Sequence, residues 1–138
     1  MKGNSNLHAA KKAKNDEFYT QYEDIEKELI HYKDQLKGLS VLCPCDTEES
    51  NFTKFFADHF DEYQLNSLTA THYNPDGQSY RLDFNNLNKT WIKTPLEGNG
   101  DFRSEEIKKI AKEEADIIIT NPPFSLFRDF IKFLEEVE

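Results

Sequence analysis

The stretch DIIITNPPFSLF, Asp116 to Phe127, decides how this chain is read. Its apolar run, Ile117 to Ile119, has the composition of a strand covered on both faces, as in parallel sheets flanked by helices. Asp116 to Thr120 is therefore read as a strand that passes through Asn121, Pro122, Pro123 and Phe124 into a helix. Phe127, Phe130, Ile131 and Leu134 recur at helical spacing in that last segment. A strand, a turn and a helix in this order predict an α/β fold with a mainly parallel sheet, whose ligands sit at the carboxyl ends of its strands. The turn is thus where a site is expected. Each proline holds φ at about −65°, has no N–H, and pushes the residue before it out of the helical region. In so stiff a turn the Asn121 side-chain carbonyl and the Pro122 main-chain carbonyl can aim at one donor, with the Phe124 ring beside them. A planar amino group has two hydrogens to give and a face to stack, and it matches that set.

Working outward, EGNGDFRSEEIKKIAKEEA reads as a Gly-rich loop and a helix that turns Ile107, Ile110 and Ala111 inward. Before it, SYRLDF and TWIKTPL alternate and are joined by the polar NNLNK, which predicts a hairpin inserted between parallel-sheet units, with Trp91 a packing residue. Leu68 to Tyr73 has strand composition and closes on the turn-forming NPDG. Leu39 to Cys43 reads as a short buried strand, followed by a turn around Pro44 and Asp46. The helix after it carries Phe52, Phe55, Phe56 and Phe60 at core spacing, with Asp46, Thr47 or Ser50 as candidate caps. Nearest the start, Ile25, Leu29, Tyr32 and Leu36 fall on one stripe of a helix that Gly38 stops.

With 138 residues, 37% of them hydrophobic, the chain can fill one small domain. It has no apolar run of membrane-spanning length, and its start lacks the apolar stretch of a secretory signal, so a cytoplasmic location is expected. Cys43 and Cys45, separated by one proline, make a poor disulfide, and with His59 or His72 they lack metal-ligand spacing. No metal is expected. The net charge of −9, from 26 acidic against 17 basic residues, argues against a chain that grips duplex DNA with its own surface. Its basic cluster, Lys2 to Lys14, lies in a polar segment, residues 1–15, read as a mobile arm. Glu135, Glu136 and Glu138 read as a solvated helix end.

NPPF resembles the catalytic motif of amino methyltransferases that use S-adenosylmethionine, in which Asn, Asp or Ser precedes Pro-Pro and an aromatic. Three further stretches extend the likeness: KNDEFYTQYEDIEKEL at Lys14 to Leu29, VLCPCDTEESNFTKFFA at Val41 to Ala57, and GNGDFRSEEI from Gly98. From about Asp16 the chain is similar to the EcoRI-type family of adenine-specific DNA methyltransferases. That resemblance implies a Rossmann-like methyltransferase sheet, of which residues 16–138 supply only the N-terminal half. It implies S-adenosylmethionine as cofactor and, as substrate, an adenine flipped out of duplex DNA, since its amino group cannot be reached inside the stack. Phe18, Tyr19 and Thr20 match the segment against the methionine end of the cofactor. Asp101 and Phe102 match the pair that holds its adenine, by hydrogen bond and by stacking. Asn121 and Pro122 match the groups that orient the target amino nitrogen, Pro123 keeps the turn rigid, and Phe124 would stack on the target base.

Unlike the wider superfamily, the turn CPCDTEES carries no glycine, and the second strand offers only Asp76 near its end; no cofactor contact is assigned to either. NPP-aromatic chemistry also serves RNA adenine and protein glutamine, which stand as alternatives. So does a non-catalytic remnant or interaction module, because the resemblance leads one to expect the DNA-reading region in a further half that residues 16–138 do not supply. Alone, the chain is expected not to methylate DNA. It is expected to self-associate through the uncovered strand Asp116 to Thr120, or to be completed by another chain.

Overall fold

Alternating apolar residues and β-branched side chains place strands at Ser40–Cys43 (β1), Ser67–Thr71 (β2), Tyr80–Asn85 (β3), Thr90–Pro95 (β4) and Ile117–Ile118 (β5). The structure, a computed structural model, describes residues 21–120 and 127–137. Helices cover Tyr22–Leu29 (α1), Lys33–Leu36 (α2), Asn51–Asp58 (α3), Glu105–Glu114 (α4) and Phe127–Val137 (α5), with a 3-10 turn at Ile30–Tyr32. The strands form one five-stranded sheet in the order β4-β3-β2-β1-β5. β1 pairs in parallel with β2 and β5, while β2–β3 and β3–β4 are antiparallel. The sheet is therefore mixed, evenly divided between the two kinds of pairing, and not mainly parallel as the sequence pattern predicts. This mixed α/β arrangement is compatible with a Rossmann-like core.

The sheet separates two apolar clusters. Val41 and Cys43 face Phe55, Phe56 and Ile25 on one side. Leu42, one residue out of phase, faces Phe102, Ile107 and Phe133 on the other. Ile117 and Ile119 join the first cluster and Ile118 the second, so β5 is apolar on both faces. Ser50 caps α3 by accepting from the Thr53 N–H, and Ser104 caps α4 by accepting from Ile107.

Two expectations need correction. Tyr32 does not share the inward stripe of Ile25 and Leu36; it is 44% exposed, because the 3-10 turn between α1 and α2 shifts the helical phase. The last strand is also shorter than Asp116 to Thr120. Only Ile117–Ile118 ladders fully, although Asp116 N–H donates to the Ser40 carbonyl and Ile119 N–H to that of Leu42. The two alternating runs do pair as a hairpin, with Asn85 opposite Thr90, and it extends the sheet beyond β2. Residues 1–15 lie outside the described residues. Among those described, no helix is long and apolar enough to cross a membrane.

Candidate active site at the strand ends

Because β1, β2 and β5 run parallel, their carboxyl ends open on one edge of the sheet. The turn after β1 is bound to both neighbours. Asp46 N–H donates to the Thr71 carbonyl at 3.0 Å, at the end of β2. Cys45 N–H donates to Thr120 Oγ1 at 3.2 Å, just past β5, and the Thr120 hydroxyl in turn donates to the Asp46 carboxylate. These main-chain donors face neighbouring strands instead of a ligand, so the turn can do without glycine.

Asp46 is 3% exposed. Burial pushes its carboxyl above the usual range, while hydroxyls of Thr120 and Ser50 pull it back. Cys45 is pushed up to about 12 by burial and by Asp46, with Asp101 adding to the rise. Cys43, wholly buried, moves the same way. Both cysteines are free thiols, and such environments make inert side chains and not nucleophiles.

Asp101 stands on a loop pressed onto the end of β2. Gly100 has φ of +81°, and a Cβ there would lie 2.0 Å from the His72 carbonyl oxygen and 2.3 Å from Ser79 Oγ. Only glycine permits that approach. Asn74 N–H donates to the Asn99 carbonyl at 2.8 Å and secures the same loop. The Asp101 carboxylate accepts from the Arg103 guanidinium at 2.7 Å and from the Arg103 main-chain N–H at 2.9 Å. That partner holds the Asp101 carboxyl below its usual range, against an opposing effect of burial. Arg103 also reaches Asp129 on α5 at 3.1 Å.

Phe102 turns the other way. It is 4% exposed, with its ring edge-on to Phe130 and Phe133 at centroid distances of 5.3 and 5.5 Å. Its place is in the second apolar cluster. Tyr19, Thr20, Asn121, Pro122, Pro123 and Phe124 lie outside the described residues, as does Phe18. Thr120, immediately before Asn121, is described and stands at the same edge as Asp46.

The residues present fit a cationic, adenine-bearing cofactor such as S-adenosylmethionine. Asp46 in the turn after β1 and Asp101 in the loop on the end of β2 put two acids at this edge, a charge type that suits a sulfonium, with Asp101 held by Arg103. A carboxylate is also the acceptor that an adenine amino group needs. At this edge, among the described residues, the His72 Nδ1 is buried without a hydrogen-bond partner. Asp46 and Thr120, which bind the ends of β1 and β5 together here, were not among the site candidates read from the sequence, where Asp46 figured only in a turn and as a possible helix cap; the available signal was an acid in CPCDTEES.

A mixed α/β sheet whose parallel strand ends place two acids at one edge is the class this architecture defines, and it is compatible with a Rossmann-like core. The chain belongs to the family described as adenine-specific methyltransferase EcoRI, which matches it over residues 6–138. It is 48% identical over 128 residues to the type II methyltransferase M.MpnI of Mycoplasma pneumoniae, covering 92% of this chain and 39% of that protein. It is 44% identical over 126 residues to M.MgeORF184P of Mycoplasma genitalium, covering 91% and 39%, and 41% identical over 145 residues to M.EcoRI of Escherichia coli, covering 93% and 44%. The chain thus spans less than half the length of each of these relatives. No solved structure matches it significantly.

Proposed function

We propose that this chain carries the cofactor-binding and acceptor-positioning part of a site-specific DNA methyltransferase that modifies the exocyclic amino group of adenine. The observation that carries the reading is that the Asp101 loop, on the end of β2, and Thr120, the residue that leads into NPPF, stand at the same edge of the sheet on either side of the β1 turn. S-adenosylmethionine, when bound, supplies an electrophilic methyl group. Asp101 would accept from its adenine amino group, with Tyr19 and Thr20 towards its methionine end. Phe102 would serve mainly as the anchor that fixes the Asp101 loop; stacking on the cofactor would require its ring to leave the cluster.

Asn121 and Pro122 would each accept a hydrogen from the target amino group and draw that nitrogen towards tetrahedral geometry. Phe124 would stack on an adenine flipped from duplex DNA, and Pro123 would keep the turn rigid. Positioning and polarisation of this kind need no general base. Within this reading residues 16–138 are a partial domain, the β3–β4 hairpin is an insertion, and the cytoplasm is the place of action. A DNA-reading surface would come from elsewhere, in keeping with a net charge of −9.

Titration calorimetry with S-adenosylmethionine tests the cofactor half. Asp101→Asn should weaken binding by about 1.5–3 kcal/mol, the worth of a hydrogen bond to a charged group. Equal affinities would remove Asp101 from the site. Incubation with labelled S-adenosylmethionine and unmethylated DNA, RNA or protein tests the substrate. The chain alone should label none of them; label in RNA or protein would favour those alternatives, and label in DNA would refute the partial-domain reading. In a form that does turn over, Asn121→Ala should lower kcat by about 100-fold or more while leaving cofactor affinity near normal.

A further inference from the structure

We propose that Asp46 and Thr120 form a latch that sets where the chain leaves β5, and are positioning residues for Asn121, which follows directly; this rests on Asn121 being the residue that handles the target amino group. Asp46 is not used as the cap of α3, because Ser50 fills that role. Its N–H is fixed on the Thr71 carbonyl, so its own place is set by β2. The Thr120 hydroxyl is constrained from two sides: it gives its one proton to the Asp46 carboxylate and accepts from Cys45 N–H. Its direction is therefore determined. β5 ladders over only two residues, and the Ile119 N–H extends the pairing by one bond, to Leu42 at 3.0 Å. At Thr120 the grip passes from main chain to side chain, one residue before Asn121. A buried carboxyl group is costly where an apolar side chain would fill the space, and in this proposal a fixed exit from β5 is what Asp46 supplies in return.

Amide hydrogen exchange on the intact chain tests the latch. Thr120→Val removes both hydrogen bonds and keeps the shape. It should speed exchange at Asn121 and Phe124 by about tenfold or more, while the β1–β2 ladder changes by less than about threefold. Thr120→Ser keeps the hydroxyl and should restore the original rates. Asp46→Asn keeps an acceptor oxygen without its charge and should give a selective increase of a few-fold at the same two amides, which serves should the valine variant not fold. Asp46→Ala combined with Thr120→Val should be no faster than Thr120→Val alone, since both break one connection. Unchanged rates at Asn121 and Phe124, the same acceleration everywhere, or additive effects would overturn the latch. An unchanged cofactor affinity in Asp101→Asn would instead sink the cofactor assignment and leave the latch standing.

Discussion

A carboxyl group at 3% exposure, with hydroxyls for partners, gives Asp46 a defined effect on stability. Its folded-state pKa is raised, so the native state binds the proton more tightly than the unfolded chain does. Stability from this group is fully present below the unfolded carboxyl value and falls as pH rises through the raised one. Asp46→Asn should remove that slope and leave the melting temperature at pH 7 equal or higher, measured by thermal melts across acidic to neutral pH. A steeper loss of stability at neutral pH in the variant would contradict the argument. Asp101 has the opposite sign: Arg103 depresses its pKa, so its contribution is present above the unfolded value and lost as pH falls through the folded one. Arg103→Ala should move the Asp101 carboxyl back upward in an NMR titration. Asp101 could be singled out as a candidate from the sequence because the resemblance rests on a local stretch, GDF. The Asp46–Thr120 contact could not, because it joins positions 74 residues apart that nothing local connects.

Elements with strong periodicity were read correctly: the phenylalanines of α3 and Ile107, Ile110 and Ala111 of α4 face the clusters as their spacing requires. Tyr32 was misplaced because a single 3-10 turn is invisible to a count that assumes one period. The loop before α4 carries two further expectations. Gly100→Ala forces an L-residue into the left-handed region, at about 1–2 kcal/mol from the backbone alone. The collision with the His72 carbonyl adds to this, so urea unfolding should register a larger loss. Phe102→Ala should cost about 3–5 kcal/mol in the same measurement, as a core deletion does. A loss well below 1 kcal/mol would mean that the ring is held for a ligand and not for packing.

At the scale of the whole molecule the two outer strands differ. β4 is exposed along most of its length but carries Lys93 and ends at Pro95, features that discourage pairing with another chain. β5 offers Ile117 and Ile118 with no charge, and among the described residues its outer edge has no partner strand. Light scattering at micromolar concentration should therefore detect dimers or larger species; a monodisperse monomer would count against β5 as a sticky edge. The strand order itself could not be read from the sequence, since pairing partners leave no local mark. That order also dictates a timetable. The hairpin β3–β4 closes a loop of a few residues and can form within microseconds, whereas Asp116 must find Ser40 across a separation of 76 residues. Closing so long a loop is entropically slow, so the β1–β5 pairing is expected late on the folding route. The strand ends that hold Asp46 beside Thr120 thus come together only when nearly everything else has folded, and a chain caught partway would have its hairpin but no crevice.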